Sequence, residues 1–140
     1  MPSTRITDCV TPLAWAWFEI KREYEEAHPG ATLILTCTKR SREEQAALYR
    51  VGRVERNGKW VVDADPTTQI VTQLDGDTKL SKHNLDLAEA IDVCVVIGGK
   101  ASWDPAQYAP LGPLARKYGL VWGGDWKMKD YPHIEMPNAA

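Results

Sequence analysis

The chain has 140 residues, 44% of them hydrophobic and 26% charged, which suits one compact domain and excludes a disordered chain or a coiled coil. Lys plus Arg at 17 against Asp plus Glu at 19 leaves a formal charge of −2, without the basic excess of a nucleic-acid or anionic-membrane binder. The longest apolar run, Leu13 to Phe18, is too short to cross a bilayer, and Met1 to Arg5 has no signal-peptide pattern. A protein made in the cytoplasm, without membrane insertion, is expected.

Thr11-Pro12 reads as an N-cap followed by a first-turn proline, and Leu13 to Ala27 as a helix stopped by Pro29-Gly30, with Trp15 and Trp17 on its core side. His28, at the carbonyl end of that helix, reads as structural. Ala31 to Cys37 is β-branched and bounded by Gly30, the pattern of a buried strand. Ser41-x-x-Glu44 is a capping box, opening a helix through Gln45 to Val51 that Gly52 closes. Arg53 to Leu80 predicts a hairpin about Asn57-Gly58 and then a long loop, a length that marks a functional or mobile segment. Ala90 to Ile97 reads as a strand ended by Gly98-Gly99, and Asp104-Pro105 opens a helix to Tyr118 with Gly119 as its cap. Leu120 to Trp122 and His133 to Met136 predict short strands, and Trp122 and Trp126 in the Gly-rich stretch offer an aromatic wall for a ligand. Cys9, Cys37 and Cys94 form no CxxC pair, so reduced thiols are expected.

Asp92 stands inside an apolar strand, where a carboxylate needs a partner, a metal or a solvated strand face. His83 precedes it in Ser81-Lys82-His83-Asn84, and His133 follows in Asp130-Tyr131-Pro132-His133-Ile134-Glu135. Two imidazoles and a carboxylate form a catalytic zinc set that leaves one position to water. Cys94, on the same strand face as Asp92, is either a fourth ligand or a small buried residue. Asp130 has the placement of a general base, or is a turn residue in Lys129-Asp130-Tyr131-Pro132.

Together, Ser81-x-His83, Ala90-x-Asp92, Asp130-x-x-His133-x-Glu135 and Arg40-Ser41-x-x-x-Gln45-x-x-Leu48-Tyr49 resemble the zinc peptidases of bacterial cell-wall peptides. That group holds the D-Ala-D-Ala carboxypeptidases, the vancomycin-resistance dipeptidases and the L-alanyl-D-glutamate endolysins of phages, and the likeness spans about Leu33 to Met136. It implies an α+β fold shared with the Hedgehog signalling domain: a single small domain over 1–140, mostly antiparallel sheet with flanking helices, and no separate cell-wall-binding domain. It implies Zn2+ held by His83, Asp92 and His133, Asp130 as general base and Arg40 facing the substrate carbonyl or carboxylate. Gln45, Ser81 and Trp126 would shape the substrate pocket. The familiar form of the motif is Ser-x-His-x-x-Gly-x-Ala-x-Asp; here two more residues separate His83 from Asp92, and Asp86 and Glu89 stand as alternatives for the middle ligand.

The implied activity is cleavage of the peptidoglycan stem peptide by a monomer, foremost an L-alanyl-D-glutamate endopeptidase acting as a phage endolysin on the periplasmic or cell-wall side after release. A D-Ala-D-Ala carboxypeptidase or dipeptidase is the alternative within the enzymes, although the dipeptidases use glutamate where this chain has Asp130. A non-catalytic zinc-bearing cell-wall-binding module is the alternative outside them.

Overall fold

The computed structural model describes residues 1–63 and 69–138. Their elements, in chain order, are α1 (Thr11–Ala27), β1 (Ala31–Cys37), α2 (Arg42–Arg50), β2 (Arg53–Arg56), β3 (Lys59–Val62), β4 (Ala90–Ile97), β5 (Lys100–Ser102), α3 (Pro105–Tyr108), α4 (Leu111–Lys117), β6 (Val121–Trp122) and β7 (His133–Glu135). The main sheet runs β1-β4-β7-β6, antiparallel throughout, and this α+β arrangement matches the expected class. On the edge of β4 away from β1, β7 pairs with Ala90 to Asp92 and β5 with Val95 to Ile97.

Strand alternation divides β4 between two environments. Ile91, Val93 and Val95 are fully buried and meet Leu13, Trp17, Ile20 and Tyr24 of α1, with Leu33 of β1, Ile134 of β7 and Leu111 of α4 completing the core. Asp92 and Cys94 point to the other face. The Asn57-Gly58 hairpin forms as expected, both residues at positive φ, and a second turn of the same kind at Gly98-Gly99 joins β4 to β5, a strand too short for sequence pattern to reveal.

Several expectations are corrected. Val10, not Thr11, occupies the N-cap of α1 and supplies no side-chain hydrogen bond. Trp15 is 69% exposed, because Leu13, Ala16, Trp17, Ile20 and Tyr24 define the buried stripe and Trp15 falls on the opposite side. The helix expected from Pro105 to Tyr118 is two helices, broken at Pro110, which has no N–H to continue the ladder. Trp122 is buried in the core and donates its indole N–H to the Tyr131 carbonyl at 2.8 Å, so it forms no ligand wall. Of the long loop, 64–68 lie outside the described residues. Its second part, from Gln69 to Leu80, is tied down by Arg53, whose guanidinium donates to the carbonyls of Tyr49 and Thr72 and to Gln73 Oε1.

Candidate metal centre

The site lies on the face of the sheet away from α1, where antiparallel register places Asp92 directly opposite His133. Such opposed residues share a face and approach closely without help from any loop. On the other side of β4 the register shifts between Leu35 and Cys37, so that Cys37, rather than Thr36, stands opposite Asp92. His83 arrives from a short 3₁₀ turn, Lys82–Asn84, whose capping box is built by Ser81 and Asn84. Ser81 Oγ accepts from the His83 N–H, and Asn84 donates to the Arg40 carbonyl, fastening the turn to the end of β1.

Each histidine is held by one ring nitrogen and presents the other. His83 Nδ1 donates to the Thr38 carbonyl at 2.7 Å, leaving Nε2 buried, without a hydrogen-bond partner and 3.4 Å from Asp92 Oδ2. His133 Nε2 donates to Glu135 Oε1 at 2.8 Å, leaving Nδ1 3.2 Å from Asp92 Oδ1. The ring centroids are 5.3 Å apart, nearly perpendicular. Glu135 is in turn paired with Lys82 at 2.8 Å. Carbonyl and carboxylate acceptors behind two imidazoles are the outer partners that orient metal-binding histidines.

Donor atoms bound to one tetrahedral zinc stand roughly 3.3 Å apart, close to the 3.2 and 3.4 Å found about Asp92. The described residues form two overlapping donor sets, Cys37–His83–Asp92 and Asp92–Asp130–His133, each with atoms within 4.8 Å of one another. Asp92 is common to both, its two oxygens serving one imidazole each. Asp86 and Glu89 belong to neither set, so the geometry favours Asp92 as the middle donor. Cys94 is also outside them, its thiol turned to the Val95 carbonyl, and His28 is far off, hydrogen-bonded to Tyr24 at the end of α1.

The electrostatics describe a site built for a cation. Burial opposes a charge on His83, but the Asp92 carboxylate and the Cys37 sulfur outweigh it and lift its pKa to about 10. Burial likewise opposes the charge on Asp92, and the two imidazoles overcome it and hold the carboxyl far below its ordinary value. The same negative potential would attract a divalent ion, which would have to displace the protons from these nitrogens to bind. Asp130 stands apart: half exposed, 3.9 Å from His133 Nδ1, its carboxyl raised above the ordinary value by burial and then by Asp92.

A cleft of about 760 Å³ opens over this cluster. Trp126 forms one wall, its ring 4.9 Å from that of His133, and Val71 to Leu74 with Leu80 form another. Arg40 lies 3.7 Å from Asp92 Oδ2 and is steadied by Gln45 Oε1 at 2.8 Å. Gln45 is itself almost fully buried and donates to the Leu74 carbonyl at 2.9 Å, so it ties Arg40 to the loop wall. Sequence reading left Cys37, Lys82 and Glu135 without roles. The spacing His133-x-Glu135 does place both side chains on one strand face, a usable sign, whereas the bulge that turns Cys37 inward has no signature in the residues.

Residues 75–136, which carry His83, Asp92, Asp130, His133 and Glu135, match the family model described as D-alanyl-D-alanine carboxypeptidase. A curated relative, the peptidoglycan L-alanyl-D-glutamate endopeptidase CwlK of Bacillus subtilis (strain 168), is 34% identical over 124 residues, covering 80% of this chain. The chain is therefore similar to this peptidase family over the segment that carries the site. It spans about two thirds of that relative's length, 65%. In fold it is similar to the L-Ala D-Glu endopeptidase ChiX of Serratia marcescens, with a TM-score of 0.64 over 98% of this chain and 90% of that one, at 21% identity. Arg40, Gln45 and Cys37 lie outside the segment matched by the family model and reach the site from the link between β1 and α2, from α2 and from β1, respectively.

Proposed function

We propose that this chain is a zinc-dependent peptidase of the peptidoglycan stem peptide, cleaving between L-alanine and D-glutamate as a phage endolysin does. The observation that carries the reading is the buried Nε2 of His83, free of any hydrogen bond and aimed with His133 Nδ1 at the two oxygens of Asp92. In this reading His83, Asp92 and His133 would hold the metal. When bound, zinc supplies a Lewis acid that polarises the scissile carbonyl and acidifies water near neutral pH.

The chain's own groups do the rest. Asp130, at the mouth of the cleft and not needed as a ligand, takes the attacking water's proton and passes it to the leaving amine. Its raised pKa suits the first half of that exchange, since a carboxylate of higher pKa is the better proton acceptor. Arg40 stabilises charge developing on the carbonyl oxygen, a contribution typically worth about 3 kcal/mol. Gln45 holds the guanidinium in place, Ser81 holds His83 in place, and Trp126 gives the peptide an apolar wall. No helix among the described residues is long and apolar enough to cross a membrane, which suits a peptidase reaching the cell wall after release by other means.

The endopeptidase reading is preferred to a D-Ala-D-Ala carboxypeptidase because the curated relative at 34% identity is an L-alanyl-D-glutamate endopeptidase, and because this chain has aspartate at position 130. Digestion of purified peptidoglycan with mass spectrometry of the new N-termini tests it. New N-terminal D-glutamate is expected; release of terminal D-alanine alone selects the carboxypeptidase, and no zinc-dependent cleavage sinks both. In the same assay Asp130→Asn is expected to retain fold and zinc while turnover falls about a hundredfold. Wild-type turnover in that variant removes Asp130 from the mechanism.

A further inference from the structure

Three cations besides the histidines line the cleft, Arg40, Lys82 and Lys129, and two of them are committed. Arg40 serves Gln45, Cys37 and Asp92; Lys82 is ion-paired with Glu135 and donates to the Met136 carbonyl. Lys129 makes a single hydrogen bond, to the Gly124 carbonyl at 3.0 Å, and pairs with no carboxylate among the described residues. An ammonium has three N–H donors, so two remain for a ligand. The Gly124 contact anchors the end of this flexible side chain to the loop that carries Trp126, directly beside Asp130 in sequence. The cleft therefore holds one positive charge that the protein does not itself neutralise, close to where the reading above places the chemistry.

What that charge meets follows from the substrate's bonding, and the argument rests on the stem-peptide reading. A glutamyl residue has one amine and two carboxyl groups. With its amine in the scissile amide and one carboxyl continuing the peptide, the other remains a free carboxylate a few bonds from the leaving nitrogen. We propose that Lys129 is a specificity-determining residue that grips this free carboxylate and so fixes which amide enters the site. The contact selects for an acidic residue on the amine side of the cut, and it discriminates against a peptide whose carboxylate has become a carboxamide, because the ammonium then faces a neutral group.

The test uses the full, zinc-loaded chain and two synthetic stem peptides that differ only in carrying this carboxylate free or as its carboxamide. The wild type is expected to prefer the carboxylate by about tenfold or more in kcat/KM, with the difference in KM. In Lys129→Met the preference is expected to fall to about one, and Lys129→Arg is expected to restore most of it. A ratio is read because a purely structural loss would slow both peptides alike and leave it unmoved. A wild type with no preference, or a Lys129→Met variant that keeps it, overturns the assignment while leaving the peptidase reading intact. A folded, zinc-loaded wild type that cleaves neither peptide overturns the stem-peptide reading, and this inference with it.

Discussion

Glu135 touches no ligand position, yet its replacement by glutamine is expected to weaken zinc binding markedly. The carboxylate accepts from His133 Nε2 at 2.8 Å through Oε1 and pairs with Lys82 at 2.8 Å through Oε2, with its side chain 17% exposed. Burial works against its ionisation, but His133 and Lys82 outweigh this and hold the carboxyl below its ordinary value, so it is charged at neutral pH. Glutamine keeps the shape and the acceptor while removing the charge, and charge-assisted hydrogen bonds are about twice as strong as neutral ones. Loss of such a partner typically costs ten- to a hundredfold in metal affinity, about 1.4 to 2.8 kcal/mol. Limited exposure keeps solvent from screening most of this. Competition for zinc against a chromophoric chelator measures it, and the melting temperature of the metal-free variant, expected to stay near that of the wild type, separates an affinity loss from a folding defect. A Glu135→Gln variant with wild-type zinc affinity would show that His133 is oriented by its strand position alone, and the argument from outer partners would fail.

A second expected outcome concerns Gly123, where an added Cβ would overlap the Asp130 carbonyl oxygen and press on the His133 side chain; Gly123→Ala is expected to lower activity by shifting the Asp130 turn, with stability reduced by about 1–3 kcal/mol, and a urea titration alongside the turnover assay checks both. A third is a pH effect at Asp75, whose carboxylate accepts from Thr78 Oγ1 and from the N–H groups of Lys79 and Asp77, which together hold its pKa well below the ordinary 3.8. Because the folded value is depressed, its stabilisation of the loop is present above 3.8 and fades as pH falls below it. Amide exchange at Lys79, compared between wild type and Asp75→Ala, should show acid-dependent loss of protection in the wild type alone; the same profile in both would refute the assignment.

The regular elements were legible where local chemistry was unambiguous. The capping box at Ser41 and Glu44, the Asn57-Gly58 turn and the β-branched run of β1 appear in the structure where the residues place them. The interruption at Pro110 was also in the letters, but a strong opening signal at Asp104-Pro105 and a glycine stop at Gly119 framed the stretch as one helix and hid the break. In the site, residue types gave the two imidazoles, Asp92 and Asp130. They could not give what depends on backbone register: the bulge before Cys37, the Thr38 carbonyl behind His83, and the opposition of Asp92 and His133 across two strands, 41 residues apart in sequence. Backbone carbonyls carry no residue signature at all, and half of the histidine orientation here is carried by one.

The order of strands has a consequence for when the centre can exist. β7, which follows every other strand along the chain, lies inside the sheet between β4 and β6. Until His133 to Glu135 have been synthesised and inserted, Asp92 faces an unfilled gap and the edges of β4 and β6 are open to water. Assembly of the metal centre is thus tied to the closing of the sheet. Any ion that binds the finished set will stabilise the closed sheet over every precursor that lacks this strand. A chain stalled before Pro132 would lack His133 and leave the donor set incomplete, however much of its helical scaffold had formed.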